Sequence, residues 1–333
     1  MLNKVKIAID AMSGENSPKK IIDGIEIALK SNTDNFFYLY GQEKILKKEI
    51  EKKNILKEYC EIIDTKDIIK DDESPFTATK KGKDSSMWKA IESLKEKKSD
   101  ISLSAGNTGA LLIMSRLLLN TIEGISKPAL AALWPSSKDM SIVLDLGANV
   151  DCNEKNLTDF TSMGSALYKS LFEIECPKIA LLNIGSEEHK GNDVLKKTFS
   201  ILKNKNQKNY EFYGYIEPNH IMDGNVDVII TDGFTGNIAL KTAEGTANFI
   251  TKNLKKSLNK LSILLSYKSL KRFKNKLDPR KYNGAIFLGL ESPVVKSHGS
   301  TDAIGFAYSI NVCNKIVKGN LIEKIKSNLI NVD

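Results

Sequence analysis

The chain has 333 residues, with 49 Lys+Arg against 41 Asp+Glu and a formal net charge of +8. An apolar content of 41% argues against general disorder, and no run of 18 apolar residues suggests a membrane-spanning helix. The first residues lack the apolar segment of an export signal, and the four cysteines form no CxxC pair, so a cytoplasmic protein without a zinc site or disulfide framework is expected.

Ten short apolar segments, rich in β-branched residues, are predicted to be strands. They are Val5–Ile9, Phe36–Tyr40, Glu61–Asp64, Ile101–Ser104, Ala129–Trp134, Ser141–Leu146, Lys178–Asn183, Tyr210–Tyr213, Val226–Thr231 and Ala285–Leu288. Amphipathic stretches between them predict helices, such as Lys19–Lys30, Asp84–Lys97, Thr108–Leu119, Thr158–Phe172 and Asn192–Leu202. Strands that are apolar on both faces and alternate with helices indicate an α/β fold, in which helices cover a mostly parallel sheet on both sides.

Five of the predicted strands end in turns rich in Gly, Asn, Asp, Ser and Thr. The segments read IAIDAMSGENSP, ISLSAGNTGA, IVLDLGANVD, LLNIGSEEHKGN and IITDGFTGN. In an open α/β sheet, the loops after the strand carboxyl ends line the ligand crevice, and the helices that follow present unpaired N–H groups. Five such loops on one sheet predict a polar pocket suited to anions. Simple turn formation is the alternative for any single loop.

Several common chemistries lack their sequence signatures. No strand is followed by GxGxxG, and neither a GxxxxGK[ST] loop nor a GxSxG elbow occurs. The three histidines, His189, His220 and His298, show no metal-binding spacing, so no metal is expected. The polar loops offer amides, hydroxyls and lysines, which are groups that hold an oxyanion.

Segment 245–277 carries the positive charge of the chain. It holds nine basic residues and no acidic one, which leaves 40 basic against 41 acidic residues elsewhere. Apolar residues recur at helical spacing on both sides of an apolar tip, so a basic amphipathic helical hairpin over residues 245–278 is predicted. The candidate docking residues are Lys255, Lys256, Leu261, Leu264, Leu265, Lys271 and Arg272.

Three interpretations of this hairpin compete. Its helices could pack on the body of the protein or on a dimer mate. Its apolar tip and lysines could attach to an anionic membrane surface, or its charge could steer an acidic protein partner to the chain. Binding of nucleic acid is the weakest hypothesis, because no known module and no aromatic stacking surface accompanies the charge.

Seven segments and the closing helix carry a family resemblance between residue 5 and about residue 315. The segments are IAIDAMSGENSP (7–18), KKGKDSSM (80–87), SAGNTGALL (104–112), LDLGANVDC (144–152), LLNIGSEEHKGND (181–193), DGFTGNIALKTAEG (232–245) and LDPRKYNGAIFLGLESPVVKSHGS (277–300). Together they resemble the bacterial acyl-carrier-protein:phosphate acyltransferases, which make acyl phosphate for phospholipid synthesis. The first loop departs from the family pattern, since Ser13, Gly14 and Glu15 stand where Gly-Gly-Asp is usual.

The resemblance implies a reaction and an architecture. Inorganic phosphate would attack the thioester of an acyl-acyl carrier protein, with no cofactor beyond the carrier itself. The fold would resemble those of phosphotransacetylases and isopropylmalate-type dehydrogenases, with lobe A at about 1–145 plus 285–333 and lobe B at about 146–284. The family likeness further implies a homodimer, peripheral attachment to the membrane, docking of the acidic carrier protein, and a downstream membrane glycerol-3-phosphate acyltransferase that receives the acyl phosphate.

Under this resemblance, candidate site residues are assigned position by position. The predicted catalytic residues are Lys190, Asp232, His298 and Asn237. Lys190, in the glycine-bordered loop HKGN, is the first choice for stabilising phosphate or an oxyanion, and His298 could protonate the leaving thiolate or bind phosphate. The predicted phosphate and thioester site comprises Lys83, Ser85, Ser86, Asn107, Thr108, Asn149, Asn192 and Lys296. For Ser85 and Ser86, capping of the helix by Asp84 or Ser85 is the alternative.

Two other functions stay open from the sequence. A short-chain phosphotransacetylase that uses coenzyme A thioesters would share the fold and the chemistry, although the apolar tip favours a lipid substrate. A non-catalytic membrane-binding scaffold is the second alternative, and the five polar loops argue against it.

Asp10 and Asp232 are further candidates to orient a lysine or accept a proton.

Overall fold

A computed structural model describes residues 4–204, 208–257, 266–276 and 278–330. In these residues eleven strands form one sheet: β1 (Val5–Asp10), β2 (Asn35–Gly41), β3 (Cys60–Asp64), β4 (Ile101–Ser104), β5 (Ala129–Pro135), β6 (Met140–Leu144), β7 (Lys178–Leu182), β8 (Glu211–Ile216), β9 (Val228–Ile230), β10 (Ala285–Leu288) and β11 (Val294–Lys296). Each predicted strand corresponds to an observed one. The short strand β11 is not predicted from the sequence.

Eleven α-helices lie between and after the strands of the described chain. They are α1 (Lys19–Ser31), α2 (Glu43–Ile50), α3 (Pro75–Lys81), α4 (Ser86–Lys95), α5 (Thr108–Leu119), α6 (Glu154–Phe172), α7 (Asp193–Asn204), α8 (Gly233–Ser257), α9 (Tyr267–Lys276), α10 (Ala303–Lys318) and α11 (Leu321–Ile330). The alternation of apolar strands and amphipathic helices therefore produces the predicted α/β fold.

The helices cover both faces of the sheet with apolar side chains. One core cluster joins the sheet to α1, α6 and α10, and its largest buried side chains include Phe37, Phe160 and Phe306. A second cluster on the other face includes Trp88 of α4 and Leu111 of α5. Burial of apolar surface at about 25 cal/mol per Å² is the main stabilising contribution, and it gives the strand ends a rigid base.

Strand direction reverses in the middle of the sheet. The order is β3-β2-β1-β4-β11-β10-β5-β6-β9-β7-β8, and the pairings β11–β10, β10–β5 and β5–β6 are antiparallel whereas the others are parallel. The loops after β1, β4 and β11, which we call the first rim, therefore point the opposite way from the loops after β6, β7 and β9, the second rim. The five polar loops do not all open on one rim, contrary to the expectation from the sequence.

The strand register aligns three polar residues at the first rim. Asp10 of β1 pairs with Ser104 of β4, and Lys296 of β11 pairs with the same Ser104. Each is the last residue of its strand, so a carboxylate, a hydroxyl and an ammonium group occupy neighbouring positions where the sheet ends.

The predicted hairpin is described in part. Helix α8 begins well before residue 245, because the Asp232 side chain accepts hydrogen bonds from the backbone and the hydroxyl of Thr235 and caps the helix. Helix α9 supplies the second arm, while Leu261, Leu264 and Leu265 lie outside the described residues. None of the described helices is long and apolar enough to cross a membrane. The division into two lobes stays a prediction.

Candidate active site

Asp10 organises the polar side chains of the first rim. Its carboxylate accepts hydrogen bonds from Ser86 Oγ at 2.6 Å and from Ser104 Oγ at 2.7 Å, and all three side chains are fully buried. Helix α4 brings Ser86 to this place because Ser85 caps it, accepting the Trp88 N–H at 3.2 Å. Hydroxyl donors rather than a cation thus satisfy the buried carboxylate.

Two buried lysines lie beside this carboxylate. Lys296 is 9% exposed and donates to the carbonyl oxygen of Ala105 at 3.4 Å and to that of Ser297. Lys20, the second residue of α1, is 5% exposed and donates to the carbonyl oxygen of Gly299. Among the described residues, neither ammonium group has a carboxylate within ion-pair distance. Two cations are therefore held out of water with only neutral oxygens as partners.

Burial shifts the pKa of both lysines. It lowers the pKa of Lys296 to about 8, against the attraction of Asp71 and Asp10, and the nearby Lys20 contributes to the lowering. Burial also lowers the pKa of Lys20, partly opposed by Glu15 and Asp71. Desolvation disfavours the charged form of a lysine, and an anion close to both ammonium groups would reverse that effect.

The helix starts at the first rim add positive potential. Helices α1, α4 and α5 begin here, and none has an acidic residue in its first turn. The N-terminus of a helix carries a partial positive charge and unpaired N–H groups, and acidic side chains usually neutralise it. Their absence from these first turns leaves the rim favourable to an anionic ligand.

The backbone of the first loop passes very close to the lysines. Gly14 has a φ of +85°, and a Cβ at this position would lie 2.9 Å from Lys20 Nζ and 3.0 Å from the carbonyl oxygen of Ala105. Only glycine fits this conformation and this space. The loop after β1 and the loop after β4 thus approach each other around the Lys20 ammonium group.

His298 lies in the loop after β11. Its backbone N–H donates to Asn283 Oδ1 at 2.8 Å, and its ring Nδ1 accepts the Ser300 N–H at 3.3 Å. An acceptor at Nδ1 places the proton of the neutral ring on Nε2. Partial burial of the ring and the Lys296 ammonium group lower its pKa, so the imidazole is neutral at pH 7.

Helix α8 connects the two rims. It begins at the second rim, where the side chain of Asn237 lies beside Gly147. Farther along, Glu244 raises and Lys241 lowers the pKa of His298, so both lie near the first rim. The helix therefore passes from one set of polar loops to the other.

Asp145 holds together the loop after β6 at the second rim. Its carboxylate accepts the backbone N–H groups of Leu130 and Ala148 at 3.0 Å, and the backbone and side-chain nitrogens of Asn149 at 2.8 Å. Burial raises the pKa of Asp145, and these hydrogen bonds oppose the shift. Asn149 also donates to the Pro128 carbonyl oxygen at 2.7 Å, so its side chain is engaged in holding the loop.

The loop after β7 carries Lys190 and Asn192. Asn192 Oδ1 accepts the Leu195 N–H at 2.9 Å and so caps α7. Lys190 is half-buried, and its aliphatic stem lies against Gly185. In the described chain its ammonium group forms no ion pair, which leaves it available to an anion.

The remaining predicted binding residues lie around the start of α5 and before α4. Asn107 caps α5 by accepting the Ala110 N–H at 3.0 Å, and its amide donates to the carbonyl oxygens of Asp71 and Glu73 at 2.9 Å. Thr108 and Lys83 are exposed. The side chain of Asn107 is thus occupied by the fold, while Ser86, Lys296 and His298 are brought together at the first rim.

Comparison with known proteins identifies the family. A family model described as "Fatty acid synthesis protein" matches residues 5–324. The phosphate acyltransferase of Pelagibacter ubique is 58% identical over 330 residues, which is 98% of this chain and 98% of that one. The chain belongs to the phosphate acyltransferase family. The phosphate acyltransferase of Azorhizobium caulinodans is 40% identical over 332 residues, covering 98% of this chain and 94% of that protein.

The fold also has a solved counterpart outside this phosphate acyltransferase family. A phosphotransacetylase from Streptococcus pyogenes superposes with a TM-score of 0.63 at 16% identity, over 96% of this chain and 94% of that one. At this identity the likeness concerns the fold alone, and it confirms the predicted phosphotransacetylase-type architecture.

Lys20 is a buried residue of the first rim that was not predicted from the sequence as a site residue. Because the chain has so many lysines, the residue type alone says little about function. The position of Lys20 in the first turn of a helix is informative. Lys19 and Lys20 stand at the very start of α1, where basic side chains oppose the helix dipole and the first turn holds no acidic residue. A buried lysine in an unfavourable first turn is a signal of a nearby anion site.

The candidate docking residues that the structure describes lie on α8 and α9. Lys256, Lys271 and Arg272 are exposed, and Lys255 lies on the same helix as Lys256. The distal part of α8 also exposes apolar side chains, with Phe249 69% and Ile250 53% exposed. This part of the phosphate acyltransferase chain therefore combines exposed cations with exposed apolar surface.

Proposed function

We propose that this chain transfers a fatty acyl group from acyl-[acyl carrier protein] to inorganic phosphate, giving acyl phosphate and the free carrier thiol. The relatives are named phosphate acyltransferases, and the chain is accordingly an enzyme of the acyltransferase class that acts in fatty acid or phospholipid synthesis. The fatty acyl chain, the carrier protein as donor, and a downstream membrane acyltransferase as recipient of the product are parts of this proposal.

The observation that carries the proposal is the pair of buried lysines at the first rim. Lys20 and Lys296 have no ion-paired carboxylate in the described structure, and three helices without acidic first-turn residues begin at the same rim. Such a site stabilises an anion, which suits both phosphate and the oxyanion of a tetrahedral intermediate.

The reaction needs no net proton transfer to or from water. A phosphate oxygen attacks the thioester carbon, the tetrahedral intermediate collapses, the C–S bond breaks, and the proton of hydrogen phosphate ends on the sulfur. Neutral His298 is suited to this exchange, because it can first accept the proton of hydrogen phosphate as a base and then, as imidazolium, give a proton to the departing thiolate. A thioester is already activated, so neither a metal nor another cofactor is required by this mechanism.

The second rim supplies further candidates for the same reaction. We retain Lys190 as the candidate donor for the thioester oxyanion, with Asp232, Asn237, Asn149 and Asn192 as neighbours that position the loops. The carbonyl oxygen of the thioester is bonded to the carbon that phosphate attacks, and the reacting atoms must lie at about 3–3.5 Å, so this role requires the Lys190 side chain to reach the phosphate held at the first rim.

The distal part of α8 and α9 is the proposed docking surface. Its exposed cations and apolar side chains suit peripheral attachment to an anionic membrane, at about 1 kcal/mol for each cation near the surface. The same charges suit the acidic carrier protein, and the apolar face suits a homodimer contact. Flotation with anionic or neutral vesicles tests the proposed membrane attachment. Absence of binding to anionic vesicles, or binding that does not weaken as salt is added, would contradict it.

One assay tests the proposed reaction directly. The purified protein is incubated with phosphate and either long-chain acyl carrier protein thioesters or acetyl coenzyme A, and acyl phosphate and free thiol are measured. We expect product with the carrier thioester and little with acetyl coenzyme A. The reverse preference would indicate a short-chain phosphotransacetylase, and no product with either donor would indicate a non-catalytic scaffold.

A further inference from the structure

Ser13 presents an unsatisfied hydroxyl inside the first rim. The residue is 1% exposed, and its Oγ is buried without a hydrogen-bond partner in the described structure. Its backbone carbonyl is engaged, since it accepts the Ser17 hydroxyl at 2.6 Å. A buried hydroxyl without an acceptor costs free energy, and a ligand that supplies the acceptor removes that cost.

This hydroxyl and the two buried ammonium groups lie around the same loop segment, residues 105–106. A Cβ on Gly106 would lie 2.9 Å from Ser13 Oγ, so the hydroxyl packs against that glycine. The adjacent carbonyl of Ala105 accepts from Lys296 and approaches the position beside Gly14 that Lys20 also approaches. Three donors from β11, α1 and the loop after β1 therefore surround the segment 105–106.

We propose that Ser13, Lys20 and Lys296 form the seat of inorganic phosphate in this enzyme. The inference deepens the proposed function, because that function supplies the identity of the anion. Two ammonium groups balance the charge of a phosphate dianion, and the Ser13 hydroxyl donates to a third direction of the tetrahedral ion. Gly14 and Gly299 are both half-buried, and both lie beside the Lys20 ammonium group.

The alternative phosphate site is the start of α4. The side chains at this helix start already have hydrogen-bond partners within the protein. Ser85 accepts the Trp88 N–H, and Ser86 donates to Asp10. Neither hydroxyl lacks a partner, in contrast to Ser13. Ser86 instead acts as a positioning residue, which holds the Asp10 carboxylate where it supports the charge of Lys296.

The test is binding of inorganic phosphate alone, followed by ³¹P NMR relaxation on the full-length protein at constant ionic strength. We expect saturable binding to the wild type. Ser13→Ala should weaken it about tenfold, and Lys20→Met or Lys296→Met about thirtyfold or more, because bonds to charged groups exceed neutral ones. Ser13→Ala removes only an unpartnered hydroxyl, so this variant is expected to fold as the wild type does, which its thermal unfolding verifies.

Lys19→Met is the matched control. It removes the same charge one residue away from Lys20, from an exposed side chain, so phosphate binding should stay within twofold of the wild type. If Lys19→Met weakens binding as much as Lys20→Met, the effect is general electrostatics and the seat is wrong. Wild-type affinity in Ser13→Ala and Lys20→Met overturns the inference as well.

Two further outcomes separate this inference from the proposed function. If phosphate binding depends on Ser13 and Lys20 but the protein forms no acyl phosphate, the phosphate seat is supported and the proposed reaction is wrong. If the protein forms acyl phosphate but all three variants keep the wild-type affinity for phosphate, the proposed reaction is supported and the phosphate seat is wrong. Phosphopantetheine serves as a second probe: if it binds and inorganic phosphate does not, the seat belongs to the carrier's prosthetic group and our assignment fails.

Discussion

The two rims of the sheet are built from similar sequences but use them differently. At the second rim, the carboxylates are satisfied, since Asp145 accepts four hydrogen bonds and Asp232 caps a helix, whereas Asn183 Oδ1 is buried without a hydrogen-bond partner in the described chain. At the first rim, Lys20 and Lys296 stay without ionic partners, and Ser13 lacks any hydrogen-bond acceptor in the described chain. Polar loops at strand ends can therefore stabilise the fold or bind a ligand. The hydrogen-bond and ionic partners of each side chain distinguish the two roles.

This difference assigns separate tasks to the rims. A satisfied network makes a rigid loop, whereas unsatisfied buried donors reduce stability until an anion arrives. We infer that the first rim binds phosphate and that the second holds the acyl donor in position. Substitutions at the two rims should accordingly differ in which kinetic parameter they change.

The largest effect is expected from Lys296→Met. Loss of the buried cation that we propose to contact phosphate should raise KM for phosphate and lower kcat/KM about thousandfold, equivalent to roughly 4 kcal/mol of transition-state stabilisation. Steady-state formation of acyl phosphate at varied phosphate measures it. Lys318→Met, which removes an exposed lysine paired with Asp34, is the control and should behave as the wild type. A Lys296→Met enzyme with normal phosphate KM would contradict the division of tasks.

Lys190→Ala tests the second rim. Turnover should fall about hundredfold, the scale of losing one oxyanion donor, while the KM for phosphate stays near that of the wild type. The measurement is the same steady-state assay, with folding checked by circular dichroism. Near-normal turnover excludes Lys190 from the chemistry, and a large rise in phosphate KM would instead move the phosphate site to this rim.

The pH dependence sharpens the assignment of Lys296. The ammonium form is the one that binds an anion, and its pKa in the free enzyme is lowered to about 8 by burial. Affinity for phosphate should therefore fall as pH rises through about 8, by about tenfold for each further pH unit. Phosphate keeps its charge in that interval, and His298 titrates below it because its pKa is lowered from 6.5. In Lys296→Met this fall should vanish; its persistence would assign the titration to Lys20 or another group.

The layers of the fold were predictable, but the direction of the strands was not. Apolar segments such as Val5–Ile9 and Ile101–Ser104 identify strands whatever their partners are. The antiparallel strands β5, β6 and β10 are buried on both faces like their parallel neighbours, so their patterns look the same. Because three such pairings reverse the sheet, the expectation that all five polar loops share one rim is wrong, although each predicted strand is observed. Strand β11 has three residues, too few to show a periodic pattern.

The clustering of candidate residues was predictable where the polar residue stood in a distinctive loop. Lys296, Ser86 and His298 were named from their segments, and the structure places them together at the first rim. Lys20 was missed because its value comes from burial and from the long-range contact with Gly299, which no local pattern encodes. Asn107 and Asn149 look like ligand donors in the sequence, yet backbone groups occupy their side chains. Hydrogen-bond satisfaction depends on tertiary partners, so it is read only from the structure.

The smallest expected effect comes from a purely structural side chain at the second rim. Asn153 caps α6 and forms a reciprocal pair with Asn156, each side chain accepting the other's backbone N–H. Asn153→Ala should lower the free energy of unfolding by about 1 kcal/mol, and Asn153→Ser, which keeps a capping oxygen, should restore most of it. Chemical denaturation measures both variants. Turnover should stay near wild type in both, because the cap supports the loop without touching substrate. If Asn153→Ala instead reduced turnover while Asn153→Ser did not, the rigidity of the second rim would itself limit the reaction, and its loops would have to be counted with the first rim as part of the catalytic machinery.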